Sequence, residues 1–311
     1  MTATIPLWAW ISFGVALVSL LILDLFSHRG GREATRVWAI FWSGVWIAAG
    51  LAFAIVIWIV MGSFAVDEYL AAYLIEKSLS LDNMFVFLII FQTLKIPREN
   101  QRSALTWGIL GALVFRGVFI FAGSAAVERW NWMNYFFGFI LLMAAIHAFR
   151  EDPSHAKESR LVHWLSEKLP VSRDTSSRDL LIRQNGTKKA TPLLISIMAL
   201  ELTDILFAID SVPAAFAVTR ETFLIYSSNA FAILGLRSLY GVVAELIGGL
   251  RFLHYGLAAI LAFAAVKIIT SNWIHIHPLL SVTIIVILLG SSVAASLIFK
   301  HKPQPQQQTA D

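Results

Sequence analysis

The chain reads ELTDILFAIDSVP from residue 201 to residue 213, within a stretch that is otherwise apolar enough to predict a membrane helix. A second apolar stretch contains EKSLSLDN at residues 76–83 and continues into MFVFLIIF at residues 84–91. A charged side chain at the bilayer centre costs at least about 2.5–3.5 kcal/mol. Because each stretch carries several carboxylates, we expect both helices to be surrounded by other protein and by a ligand.

The composition is typical of an all-α polytopic membrane protein. The chain is 58% hydrophobic and 14% charged, with a mean hydropathy of +0.71. Since one span requires about 20 apolar residues, the sequence predicts about nine transmembrane helices. We expect them at residues 7–26, 38–61, 70–94, 104–127, 133–149, 192–219, 223–249, 254–271 and 278–299. No cleavage site of small residues follows the first span, so a retained signal anchor is expected.

Lysines and arginines are distributed unevenly between the two predicted faces. Eighteen of the 24 lie in loops and tails on one face, whereas only Arg129 and Arg220 lie on the other. The positive-inside rule therefore predicts an inner-membrane protein with its N-terminus outside and its C-terminus in the cytoplasm. This bias and contact with anionic lipids account for the net charge of +4, so no nucleic-acid partner is expected.

The chain contains no cysteine, which excludes disulfides, thiolate metal sites, iron–sulfur clusters and thiol redox chemistry by its own side chains. The long polar loop between residues 150 and 191 contains Trp164 and Leu165, which suggest a short helix on the membrane surface. The tail from Lys300 is rich in Pro and Gln and is expected to be disordered.

Ionisable residues recur along the chain in the same order, which predicts an internal repeat. The pairs are Asp82 with Asp210, Glu76 with Asp204, Arg116 with Arg237, and His147 with Lys267. Each unit has three spans, an odd number, so the second unit enters the membrane from the opposite side. Inverted three-helix repeats are a transporter architecture in which the ligand binds near the membrane midplane.

The repeat divides the chain into six segments. Two N-terminal helices (1–66) precede the first unit (67–150) and a cytoplasmic loop (151–190). The inverted second unit (191–272) is followed by a C-terminal helix (273–299) and the tail (300–311).

Acids outnumber bases within the predicted spans. The seven acids are Asp24, Glu76, Asp82, Glu201, Asp204, Asp210 and Glu245, and the four bases are Lys77, Arg116, Arg237 and Lys267. Mutual pairing cannot neutralise all the acids, so bound cations or protons must supply the balance.

The expected ligands are oxygen atoms. Helical periodicity places Glu76, Ser80 and Asn83 on one stripe. In the second stretch Pro213 cannot donate to the carbonyl of Ile209, so we expect a broken helix and a freed carbonyl beside Asp210. Carboxylate, hydroxyl, amide and carbonyl oxygens suit Mn²⁺, Mg²⁺ or Ca²⁺ and suit Cu⁺ and Zn²⁺ poorly.

Structural roles are the alternative for several of these residues. Arg116 or Arg237 can hold the membrane acids in ion pairs, and Lys77 can pair with an acid, so no ligand role is assigned to it. His147 and Lys267 lie near helix ends and can be interfacial.

The chain resembles the TerC family, including its Alx-like members, over nearly its whole length. The resemblance rests on EKSLSLDN (76–83), GILGA (108–112) with Arg116, ATPL (190–193), ELTD (201–204), FAIDSVPA (207–214) and SNAFAILGLR (228–237). It implies multi-pass cation exporters of the LysE type, linked to Mn²⁺ export. The metal-handling residues that it implies are Glu76, Asp82, Glu201, Asp204 and Asp210.

The chain departs from the family at His147, where a lysine matching Lys267 is usual. If the family lysine neutralises the empty site, His147 would fill that role here, and its charge would depend on pH. The family name refers to tellurite resistance, but tellurite is an anion and the membrane interior of this chain has excess negative charge. Resistance would therefore arise indirectly, through metal homeostasis.

The sequence hypothesis is a Mn²⁺ exporter with alternating access, in which proton antiport is plausible and no cofactor is bound permanently. Asp82 and Asp210 are the expected core ligands, Glu76 and Asp204 flank them, and Asn83 adds an amide oxygen. Glu201 is either a ligand or a proton-coupling group. The rival hypothesis is a scaffold that helps other proteins to assemble or to acquire metal, with partners and oligomeric state unknown. An intramembrane aspartyl protease is not expected, because neither Asp82 nor Asp210 lies in a Gly-x-Gly-Asp motif.

Overall fold

The computed structural model describes residues 5–27, 36–130, 132–150, 162, 164–165, 170–172, 177–184, 187–246, 252–271, 273–274 and 276–298. Ten α-helices and one β-hairpin make up most of this part of the chain. They are α1 (Leu7–Ser27), α2 (Arg36–Met61), α3 (Ser63–Thr93), α4 (Arg98–Arg129), α5 (Met133–Arg150), β1 (Leu181–Gln184), β2 (Thr187–Ala190), α6 (Pro192–Phe216), α7 (Thr222–Ile233), α8 (Leu236–Leu246), α9 (Leu253–Ile269) and α10 (Pro278–Ile298). The predicted disordered tail lies outside the described residues.

Six of the described helices are long and apolar enough to cross a membrane, namely α1, α2, α4, α5, α6 and α10. A multi-pass membrane protein is thus confirmed at this level. Helix α3 is not among the six, and it carries the charges of the first acidic stretch; α7 and α9 are shorter apolar helices. Nine transmembrane helices therefore stay a prediction.

The predicted single helix over residues 223–249 is wrong, because the chain breaks between α7 and α8. The amide of Leu234 still bonds to the carbonyl of Ala230, but Gly235 adopts a φ of +79°. This left-handed conformation favours glycine. A Cβ at residue 235 would also lie 2.5 Å from Cβ of Trp46 on α2, so both the backbone and the packing require glycine there.

The predicted break at Pro213 is also wrong, because α6 continues through it to Phe216. The helix begins with a well-formed cap, in which the Thr191 hydroxyl accepts a hydrogen bond from the Leu194 amide and Pro192 occupies the first turn. Pro213 cannot donate to the Ile209 carbonyl, so one helical bond is missing there. The bonding resumes after it, since the Ala217 amide donates to the Pro213 carbonyl.

The loop before α6 contains a β-hairpin that was not predicted from the sequence. Strands β1 and β2 are antiparallel, with Leu181 opposite Ala190 and Arg183 opposite Lys188. The hairpin leads directly into Thr191, whose hydroxyl also bonds to the carbonyl of Asp179. Of the predicted surface helix, only Val162, Trp164 and Leu165 are described, and they are helical.

Helix α3 lies at the centre of the bundle and packs against α2, α6, α7 and α10. The packing between the two predicted units is reciprocal. Helix α3 of the first unit contacts α7 of the second, α6 of the second contacts α4 of the first, and α5 contacts α9. The inverted relation of the units and the six-segment division stay predictions, but this packing brings both acidic helices to one place.

We expect Gly235→Ala to lower the apparent thermal unfolding temperature of the purified protein in detergent. Alanine in the left-handed region costs roughly 1–2 kcal/mol, and the clash with Trp46 adds to that. Gly44→Ala on α2 is the matched control, because a Cβ there meets nothing within 4 Å. Equal unfolding temperatures for both variants would contradict the structural role of Gly235.

Candidate functional site

Arg116 of α4 connects the two acidic helices. Its Nε and Nη2 donate to Oδ2 and Oδ1 of Asp204 on α6 at 3.2 and 2.9 Å, a bidentate geometry. Its Nη1 forms an ion pair with Oε1 of Glu76 on α3. The side chains of Arg116 and Glu76 are each only 2% exposed, so the interaction is removed from solvent. One guanidinium thus holds an acid from each half of the chain.

Glu201 adds a third carboxylate one helical turn before Asp204. Its carboxylate fills the space that a Cβ on residue 111 of α4 would occupy, so the glycine at that position makes room for it. Among the described residues, Oε2 of Glu201 has no hydrogen-bond partner although that atom is buried. The negative charges of Glu201 and Asp204 repel each other.

We call Glu76, Arg116, Glu201 and Asp204 the Arg116 cluster. When all four groups are ionised, the two carboxylates on Arg116 and the carboxylate of Glu201, packed against Gly111 of the same helix, outnumber the one guanidinium. Leaving a buried charge uncompensated is costly in protein and more so in lipid. The cluster therefore favours the binding of a cation or of protons, and it disfavours an anion.

The other predicted ligands lie elsewhere on the two acidic helices. Asn83 is buried on α3 and lies on the same helical stripe as Glu76. Asp82 belongs to α3, but its side chain lies outside the described residues. Asp210 is half-buried, has a contact of its own, and stands nine residues after Glu201, on the opposite side of α6.

The described side chains do not form a closed metal site. Among them, no three Asp, Glu, His or Cys groups lie close enough together to hold a metal ion. The structure thus brings Glu76 and Asp204 onto Arg116, and it places Glu201 one helical turn before Asp204, against Gly111. It does not bring Asp210 to the same face of α6 as Glu201.

The predicted supporting residues have roles that differ between the two units. Arg237 of α8 pairs with an acid outside the two acidic helices. Its Nη2 pairs with Oδ2 of Asp24 on α1 at 3.1 Å, and its Nη1 donates to the Thr106 hydroxyl at 3.2 Å. Lys267 is buried on α9, whereas His147 is exposed in the last turn of α5.

Lys77, which received no role from the sequence, contacts the break between α7 and α8. Its Nζ donates to the carbonyl of Ala232 at 3.0 Å, in the last turn of α7. Gly235 is a sequence signal for the end of α7, because left-handed residues commonly end helices at that position, but it does not identify Lys77 as the partner. The broken helix of this protein therefore lies beside Lys77 and not at Pro213.

A cavity of about 850 Å³ lies on the face predicted to be outside, where α3 and α10 begin and α6 and α9 end. Glu68 of α3 lines it and accepts a 2.7 Å hydrogen bond from the Thr219 hydroxyl. Lys267 also lines it, donates to the Ser281 hydroxyl at 2.8 Å, and attracts Glu68 electrostatically. Sequence reasoning missed Glu68 because it assigned that residue to a loop.

Comparisons with known proteins agree on one family. Residues 61–304 match the family described as "Integral membrane protein TerC family". An "Uncharacterized membrane protein STKORF319" of Myxococcus xanthus is 38% identical, over 94% of this chain and 93% of the relative. The "Putative membrane-bound redox modulator Alx" of Escherichia coli K12 is 36% identical, over 95% and 96%. No solved structure matches the chain.

We expect Arg116→Met to destabilise the protein strongly, because it leaves Glu76 and Asp204 buried without their shared partner. Breaking a buried ion pair from one side costs about 3–5 kcal/mol. Thermal unfolding of the purified protein measures the effect. The control is Arg178→Ala, which removes an exposed pair with Glu99, expected to contribute no more than about 1 kcal/mol. Similar losses in the two variants would contradict a central role for Arg116.

Proposed function

Because the chain belongs to the TerC family of integral membrane proteins, we propose that it is a divalent metal cation transporter of the inner membrane that exports Mn²⁺. The observation that carries the proposal is the Arg116 cluster. Two helices from different halves of the chain bring two carboxylates to one buried guanidinium, and Glu201 adds a third carboxylate against Gly111 of the same helix α4. No catalytic activity and no permanently bound cofactor are proposed.

The chemistry of the cluster favours a hard divalent cation. The donors are oxygen atoms, and the chain has no cysteine to supply sulfur. Mn²⁺, Mg²⁺ and Ca²⁺ all suit such donors, and the choice of Mn²⁺ comes from the family resemblance. Glu201 is the first ligand that we propose, because its buried Oε2 has no partner among the described residues. Protons can replace the metal on the same carboxylates, which is compatible with antiport.

The path proposed for export runs along α3. Glu68 precedes Glu76 by eight residues, which is about 12 Å along a helix axis. The cavity that Glu68 lines therefore lies at a suitable depth to receive the ion on the outer face. Alternating access would open the cluster first to the cytoplasm and then to this cavity. The proposed orientation, with the C-terminus in the cytoplasm, follows from the positive-inside rule.

The Alx relatives are named as redox modulators, and the proposal accommodates that name. This chain cannot carry out thiol exchange with its own side chains, because it has no cysteine. Export of a redox-active metal would change the redox balance of the cell without any thiol chemistry in the exporter.

We expect everted membrane vesicles that contain the protein to accumulate Mn²⁺. We expect the initial rate of Mn²⁺ uptake to fall at least tenfold in each of three variants, Glu201→Gln, Asp82→Asn and Asp210→Asn. Each substitution removes a negative charge and leaves the size of the side chain nearly unchanged. Glu99→Gln, at an exposed ion pair, is the control. A wild-type rate in Glu201→Gln would refute the Arg116 cluster as the metal site, and wild-type rates in Asp82→Asn and Asp210→Asn would refute the ligand roles predicted from the sequence for those two residues. Absence of flux in the wild type, together with a stably co-purified protein, would favour the scaffold hypothesis.

Two glycines of α4 provide a second, matched test. A Cβ at residue 111 would collide with the Glu201 carboxylate, whereas a Cβ at residue 108 would make only ordinary contact with Leu200, at 3.7 Å. We therefore expect Gly111→Ala to reduce Mn²⁺ uptake severalfold by displacing Glu201, and Gly108→Ala to retain it. Equal uptake by both variants would show that the position of Glu201 is unimportant for transport.

A further inference from the structure

Lys77 places a cation at the end of a helix that stops inside the protein. Helix α7 ends at Ile233, and the chain turns at Gly235 before α8 begins. Ala232, Ile233 and Leu234 are at most 1% exposed. The Nζ atom of Lys77 donates a 3.0 Å hydrogen bond to the Ala232 carbonyl. The Ala232 carbonyl is therefore bound by a side chain from α3.

This position attracts cations for two physical reasons. The last four carbonyls of an α-helix have no following helical amide to bind. The aligned peptide dipoles also place about half a negative charge at the C-terminal end. Such half-helix ends coordinate transported cations in membrane carriers with discontinuous helices. Here the position is held by the ammonium group of Lys77.

We propose that Lys77 is a tethered cation that occupies the carbonyl end of α7 while the carrier is empty, and that an incoming divalent cation displaces it. This inference rests on the proposed transport function and adds a positioning residue to its mechanism. Lys77 follows Glu76 directly, so its backbone is fixed beside the Arg116 cluster. In this inference the metal binds at the carbonyl end that Lys77 vacates, reached from α3 at the residue next to Glu76.

Lys77 is better suited to displacement than Arg116. Arg116 is held by two hydrogen bonds to Asp204 and by Glu76 as well. The ammonium of Lys77 is a compact charge on a flexible stem, and its contact with the Ala232 carbonyl is a hydrogen bond to a neutral acceptor. After the metal leaves, return of the ammonium would restore the charge balance and hinder rebinding from the outer face.

The test compares Lys77→Met and Lys77→Gln with the wild type. Methionine removes both the charge and the donor, whereas glutamine keeps an N–H donor and removes only the charge. Ser78→Ala is the control, because the Ser78 hydroxyl bonds only locally, to the Leu74 carbonyl of its own helix. Binding of Mn²⁺ to the purified protein is followed by electron paramagnetic resonance of the free ion.

Both Lys77 variants are expected to bind Mn²⁺ about tenfold more tightly, because the metal no longer competes with a tethered cation. In vesicles they are expected to show a lower KM together with a lower maximal rate, since release is slower. A purely structural role would lower the maximal rate or the amount of folded protein without tightening binding.

Unchanged or weaker Mn²⁺ binding by folded Lys77→Gln, with a wild type that binds and transports Mn²⁺, would overturn the inference and leave the transport function standing. A wild type that neither binds nor transports Mn²⁺ would overturn both. Tighter binding by Lys77→Gln, with Ser78→Ala like the wild type, would support displacement even if Lys77→Met fails to fold.

Discussion

The buried ion pairs of Arg116 are the interaction on which the arrangement of the helices depends. They join α3, α4 and α6 at a point where solvent does not reach. Removing Arg116 leaves the carboxylates of Glu76 and Asp204 without their shared cation in a region of low dielectric, where the cost is several kcal/mol. The reciprocal packing of α3 with α7 and of α6 with α4 is compatible with this constraint, since both acidic helices must reach the same guanidinium.

The membrane class and most helix positions followed from hydropathy, because a long apolar run has few alternatives to a helix. The breaks were harder to predict. Pro213 suggested one, but it removes a single helical bond and α6 continues through it. The true break at Gly235 depends on a left-handed backbone and on the approach of Trp46 from α2. Such an approach is a property of tertiary packing that local sequence does not contain.

The site was partly predictable for a similar reason. The acidic stretches pointed to Glu76, Glu201 and Asp204. Glu76 and Asp204 contact Arg116, and Glu201 packs against Gly111 of the same helix. The alignment of Arg237 with Arg116 suggested equal roles, yet Arg237 contacts Asp24, because the neighbours of α8 differ from those of α4. The hairpin before α6 had a local signal in the Asn185-Gly186 dipeptide. Lys77 had none, since its acceptor is a backbone carbonyl distant in sequence.

The contact between Trp46 and Gly235 gives α2 a role that its position in the chain does not suggest. The family match begins at residue 61, so α1 and α2 lie before it and resemble a simple anchor. Yet Trp46 packs against Gly235 in the connection between α7 and α8, and Asp24 on α1 forms an ion pair with Arg237, two residues after Gly235. The two N-terminal helices thus restrain the connection between α7 and α8. Any rotation of α8 relative to α7 must first move an indole ring and separate an ion pair.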